Sequence, residues 1–202
     1  MIINIDKPTG WSSFDVVKKI KNITKHKKVG HGGTLDPFAS GVLIIGTESD
    51  TKKLTGIMNS NKVYEAQLEL GKTTKTLDIE GKIVSTKEVP KFDTAKIKSV
   101  LNKFMGKQKQ KPPMYSAKKH KGVRLYKLAR KNIEVERDSI DIFVHNIELL
   151  DYTKNVIRFN LECSKGTYVR VLGKDIANKL NTVGYLTALK RTRVGDYLIN
   201  DS

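Results

Sequence analysis

Residues 63–70 (VYEAQLEL) and 156–163 (VIRFNLEC) each alternate between two kinds of side chain along their whole length. A period of two puts Tyr64, Ala66, Leu68 and Leu70 on one face of the first segment, and Ile157, Phe159, Leu161 and Cys163 on one face of the second. Strands of this kind have one face that must be covered, so they predict an antiparallel sheet packed against helices. Residues 139–150 precede the second segment and pair with it as a hairpin. Three helices are available as cover. One follows Ser12, with Asp15 at capping-box spacing and Val16, Val17, Ile20 and Ile23 as its stripe. A second occupies Pro90 to Gly106, with Asp93 as cap, Ile97, Val100, Leu101 and Phe104 as its stripe, and Gly106 just past its end. The third follows Gly166 and carries Val169, Leu172, Ile176 and Leu180. Short strands are read at 2–5, 42–46 and 83–84, and LTALKRTRVGDYLI ends the chain. There is no repeat and no strict strand–helix alternation, so the fold class is α+β with a mostly antiparallel sheet.

The chain has 202 residues, enough for one large domain or two small ones. Its single Cys163 excludes an internal disulfide and a thiolate zinc site, and no second His stands at ligand spacing, so no metal is expected. No apolar run approaches the roughly 20 residues of a membrane span. The start, MIINIDKPTGW, lacks both a basic region and a long apolar one. A cytoplasmic location is expected.

Thirty-eight Lys and Arg against 21 Asp and Glu give a net charge of +17. That surplus repels itself in a compact chain and calls for a polyanionic partner, nucleic acid before an anionic membrane surface. From Thr94 to Ile133 there are 13 Lys and Arg and no acid. Pro112, Pro113, Met114, Tyr115 and His120 interleave with them, as in a groove that tracks a nucleic-acid backbone and stacks bases. A second cluster, Lys18 to Lys28, holds six Lys and one His just before the glycine-rich string GHGG at 30–33.

That string is expected to be irregular backbone. The loop after it contains Asp36, which reads first as a turn residue because Asp-Pro commonly initiates turns. Its alternative is a carboxylate held rigidly at the mouth of a buried strand. Tyr64 reads as a core tyrosine with a satisfied hydroxyl, and His31 as a loop residue. Arg170 sits among Val169, Val171 and Leu172 and needs a carboxylate partner. Nothing matches a Walker loop or the dinucleotide fingerprint. The residues alone describe a basic, nucleic-acid-binding α+β chain without naming a reaction.

Six ordered strings go further: DKPTGWSS at 6–13, GHGGTLDPFASGVL at 30–43, KVYEA at 62–66, PPMYSAKKHKGVRLYKLAR at 112–130, CSKGTYVR at 163–170 and LKRTRVG at 189–195. Together they resemble the TruB family of tRNA pseudouridine synthases. The resemblance implies the pseudouridine synthase fold, a bent mixed sheet with flanking helices around a central basic cleft. It implies isomerisation of uridine 55 in the T-loop of tRNA, with tRNA as partner, no cofactor and no metal, by an enzyme expected to be monomeric. Asp36 matches the family's catalytic aspartate, with attack on C1′, attack on C6 and deprotonation of the ribose all open. Arg170 matches the arginine that pairs with it. Tyr64 matches the tyrosine that stacks on the flipped base and accepts the C5 proton. Tyr168 and Leu189 match positions lining the uracil pocket, His31 the histidine contacting the T-loop, and Lys7 a lysine supporting Tyr64 from beneath.

There are two departures from the family pattern. The family's T-D-T-x-D-x-x-G reads TKTLDIEG at 74–81, so Lys75 replaces an Asp while Asp78 and Gly81 remain. The chain ends at Ser202, where bacterial members continue into a PUA-type domain. The expectation is a single catalytic domain over 1–202 with no PUA domain and a weaker grip on the acceptor side of the T-arm, offset by the basic run. A second reading makes the chain a tRNA-elbow binding and refolding protein with little or no isomerase activity. The presence of Asp36, Tyr64 and Arg170 together favours the enzyme. A third, RNA-guided modification of rRNA, has no room here for the extra surfaces it requires.

Overall fold

The computed structural model describes residues 1–202. Thirteen strands and five helices follow in the order β1 Ile2–Lys7, α1 Ser13–Thr24, β2 Val29–His31, β3 Ser40–Thr47, α2 Leu54–Asn59, β4 Lys62–Leu70, β5 Lys72–Thr74, β6 Ile83–Thr86, α3 Thr94–Asn102, β7 Gly106–Gln110, β8 Lys119–His120, β9 Val123–Arg124, α4 Leu125–Arg130, β10 Ile140–Thr153, β11 Val156–Cys163, α5 Val169–Lys179, β12 Gly184–Val194 and β13 Tyr197–Leu198. The main sheet runs β1-β3-β12-β4-β11-β10-β7, with β2 added to β3 and β13 to β12. Its strand pairs are antiparallel except for a short parallel contact that sets Lys190 opposite Ser40 and Arg191 opposite Gly41. No helix is long and apolar enough to cross a membrane.

The two alternating segments are neighbours at the centre of this sheet, with Leu161 opposite Tyr64 and Phe159 opposite Ala66. Their apolar face meets α3 and α5, and Ile97, Leu101, Leu172 and Ile176 are buried against it. Strand β3 is buried on both faces, which explains its unbroken apolar run. Leu43 and Ile45 pack with Val16 and Val17 of α1, while Val42 and Ile44 pack with Leu54 of α2 and Val194. The β10–β11 hairpin turns at Lys154 and Asn155, both with positive φ (49° and 67°), as a two-residue primed turn requires. Both sides of the Ser12–Asp15 capping box form.

Three sequence expectations need correction. Ile23 is 64% exposed, because the last turn of α1 extends past the cluster that covers Val16 and Val17. Helix α3 stops at Asn102, so Phe104 is buried from the following turn and Gly106, at φ 85°, opens β7 instead of capping the helix. Gly30 and His31 are regular strand, paired with Gly46 and Ile45, so the irregular backbone is confined to the residues after them.

Gly41 shows how closely β3 and β12 approach. Its φ is +105°, and a Cβ there would run into the backbone carbonyl of Arg191. Gly41→Ala is expected to lower the unfolding free energy by about 3 kcal/mol or more. Gly56→Ala in α2, where an added methyl meets nothing, is expected to be neutral or stabilising by up to about 1 kcal/mol. Urea unfolding of the two variants side by side checks this.

Candidate active site

The loop between β2 and β3 carries Asp36 and is fixed from several directions. Leu35 joins the main core with Phe38 and Ala39. The buried Ser13 hydroxyl accepts from the Leu35 N–H (2.8 Å) and donates to the Leu35 carbonyl (3.0 Å). Arg191, buried in β12, donates from Nε to the Val42 carbonyl (2.7 Å) and from its terminal nitrogens to those of Thr34 (3.3 Å) and Gly33 (3.2 Å). Lys7 is fully buried with no acid partner; its ammonium donates to the carbonyls of Trp11 (2.6 Å), Pro8 (2.7 Å) and Pro37 (3.5 Å). These bonds tie the KPTGW turn to the Asp36 loop, and Tyr64 accepts none of them. Burial pulls the Lys7 ammonium down to about 8.

Arg170 enters from the start of α5 with its side chain only 5% exposed. Its Nε donates to Asp36 Oδ2 at 2.8 Å. One terminal nitrogen donates to the Thr76 carbonyl (2.6 Å) and stands 3.4 Å from Asp78 Oδ2, and the other donates to the Tyr115 carbonyl (2.7 Å). The guanidinium therefore joins four chain segments. Asp78 is itself buried, and it accepts from the Thr76 hydroxyl (2.5 Å) and the Glu80 N–H (3.1 Å). Burial pushes its carboxyl upward, against the pull of Thr76 and Arg170. A side chain at Gly81 would collide with the Thr76 hydroxyl, which explains a glycine there.

Asp36, at 34% side-chain exposure, faces a cleft of about 290 Å³. Tyr64, Tyr168, Arg170 and Leu189 line the same cleft. Tyr64 lies opposite Arg191 in the sheet; burial raises its hydroxyl and the Arg191 charge opposes that rise. Tyr168 precedes α5 and is clamped by the Gln110 amide, which accepts from its N–H (2.7 Å) and donates to its carbonyl (3.2 Å). Burial also raises its hydroxyl, and the Arg170 charge opposes that rise. His31 and Lys7 lie outside the cleft lining. Burial, followed by Arg191 and Arg124, lowers His31, whose Nδ1 has no partner.

Sequence reasoning overlooked Arg191 and Lys62. Arg191 lies in the quoted LKRTRVG string, and its place there was its only signal. Lys62 lines the cleft at the start of β4, donating to the Met58 (2.7 Å) and Ser60 (2.6 Å) carbonyls, and burial lowers it to about 8.

This arrangement presents a positioned carboxylate, a guanidinium fixing it, and aromatic and aliphatic walls in a cleft of nucleoside scale. Residues 21–169 match the model of the TruB family pseudouridylate synthase N-terminal domain. Proteins named tRNA pseudouridine synthase B are similar along the whole chain. The one from Clostridium tetani is 47% identical over 201 residues, covering 100% of this chain and 70% of its own length. The one from Dehalococcoides mccartyi strain BAV1 is 44% identical, covering 100% and 67%. Among solved structures, a Cbf5-Nop10-Gar1 complex contains a chain 30% identical with TM-score 0.76, over 98% of this chain. An H/ACA RNP bound to a substrate RNA containing 2′-deoxyuridine gives 27% and 0.71. This chain spans about half the length of each of those two chains (49% and 48%). The chain belongs to the TruB family of pseudouridylate synthases.

Two outcomes follow from the geometry. Arg170→Met strands Asp78 in the interior and is expected to cost about 3–5 kcal/mol of unfolding free energy, read by urea titration. Between pH 8 and 10.5 the unfolded chain still holds the proton that folded Lys7 has released, so stability rises with pH across that window. Lys62 adds a rise of the same sign. Lys7→Met is expected to remove about half of it, checked by unfolding midpoints from pH 7.5 to 10.

Proposed function

We propose that this chain isomerises uridine 55 in the T-loop of tRNA to pseudouridine, as a cytoplasmic monomer that holds the T-arm. The observation carrying the proposal is the Asp36 carboxylate, held by Arg170 yet open to the cleft. Membership of the family and the relatives named tRNA pseudouridine synthase B support it.

The reaction is an isomerisation. The C1′–N1 bond breaks, the uracil turns, C5 bonds to C1′, the C5 proton leaves, and N1 ends with a proton. No electrons are exchanged with a second molecule, so the chemistry can be carried by side chains. Asp36 is assigned to the ribose or the C6 edge of the base, where a fixed carboxylate can attack or remove a proton. Arg170 holds that carboxylate in one orientation through its Nε bond at 2.8 Å and supplies the counter-charge beside it. Tyr64, beside the Arg191 charge, is placed to stack on the base and receive the C5 proton, and Tyr168 and Leu189 bound the base. A cleft of this size admits one nucleoside, so the target must leave the T-loop at a cost of a few kcal/mol. Contacts between the basic surface and phosphates offset that cost.

Tritium release from C5-tritiated uridine in an unmodified T-arm transcript tests the reading. Wild type is expected to release tritium, and Asp36→Asn to be slower by more than about 10³-fold. Binding of the transcript without release by either would favour an elbow-binding protein instead.

A further inference from the structure

A second cleft, of about 470 Å³, lies behind the wall that holds Arg170. The two clefts share that wall. Tyr115 and Val171 line the second cleft, while their chain neighbours Ser116 and Arg170 line the first. Five cations converge on it: Lys75, Lys109, Lys111, Arg137 and Lys174. The four lysines are exposed and none makes an ion pair; Lys75 donates one proton to Asn132 (2.8 Å) and has two left. The Arg137 side chain is 13% exposed and pairs with Glu134 through one terminal nitrogen (3.1 Å), while its buried Nε donates to nothing. The acids in the lining are Glu134, already engaged, and Asp175, which is half-buried and whose carboxyl burial pushes toward the neutral form. Five cations facing so little negative charge repel one another unless an anion lies among them.

We propose that this second cleft is a phosphate subsite that grips the RNA backbone next to the nucleotide held at Asp36. The proposal rests on the RNA-substrate reading above. A phosphodiester fits better than an acidic side chain because the donors come from four separate stretches, the Lys75 turn, residues 109–111, Arg137 and α5, and a phosphate offers oxygens in several directions. Lys75 stands where the family pattern carries an Asp, so the subsite belongs to this chain's own surface. The backbone carbonyls of Thr76 and Tyr115, which hold Arg170, come from the same two segments as Lys75 and Lys111.

The test measures T-arm transcript affinity across a KCl series for wild type, for Lys75→Gln/Lys174→Gln, and for Lys87→Gln/Lys154→Gln. The last pair removes two exposed lysines that line neither cleft. The first double variant is expected to bind about tenfold more weakly at 0.1 M salt. Its slope of log K against log[salt] should be shallower by about 0.7–0.9 per phosphate lost. KM should rise with kcat unchanged, and Lys75→Arg/Lys174→Arg should restore binding. Loss no greater than in the control pair, with thermal melts showing all variants folded, would overturn the subsite. So would protection of wild type by inorganic phosphate that the variant lacks while RNA affinity stays unchanged, because the site would then take a free anion. Failure of wild type to bind the transcript at all would overturn the RNA-substrate reading itself and the subsite with it.

Discussion

A guanidinium taken almost entirely out of water must find acceptors for its protons and a counter-charge for itself, and the site is organised around meeting that need for Arg170. Its partners come from three parts of the chain, the Asp36 loop, the Thr76–Asp78 turn and the Tyr115 segment, which it ties to its own helix α5. None of these segments is a regular strand at the point of contact. Each of the three partner segments is a connection, and together with the start of α5 they form the wall of the cleft. Removing one partner of a buried pair costs more than the pair adds, because the survivor stays buried and uncompensated. The network therefore enforces geometry more than it adds stability.

Other buried cations play a similar part. Lys7 and Arg191 donate to backbone carbonyls of the Asp36 loop and its flanks and have no acid within bonding distance. They fix the backbone on either side of Asp36 and leave its carboxylate to Arg170. Burying a lysine this way is expensive, as its depressed proton affinity records, and such costs are accepted where a position must be held. The main core lies on the opposite side of the loop, through Leu35, Phe38 and Ala39, so the carboxylate rests on a packed base and opens only toward the cleft.

How much of this was legible in the sequence depended on range. Strand β4, the β10–β11 hairpin, the α1 cap and the apolar face of α5 follow from patterns a few residues long, and the structure has them as read. Ile23 and the end of α3 were misjudged because apolar spacing continues past the point where a partner surface ends. Gly30 and His31 read as loop from their glycine-rich composition, which carries no trace of the pairing that β3 offers them. The parallel contact of β12 with β3 leaves no local trace. Neither does the Asp36–Arg170 bond, which joins residues 134 apart. The hydrophobic setting of Arg170 pointed to a carboxylate, and only the family resemblance indicated which one. Arg191 escaped notice because a buried arginine that serves carbonyls looks, in sequence, like any charged strand residue.

The central claim is that Arg170 and Asp36 act as one unit, and a double-mutant cycle tests it most directly. Urea unfolding of wild type, Asp36→Asn, Arg170→Met and the double variant gives their coupling free energy. A coupling of about 1–3 kcal/mol is the expected result for residues in one buried network. Additivity within about 0.5 kcal/mol would mean that the two side chains are neighbours without being partners, and would contradict the account.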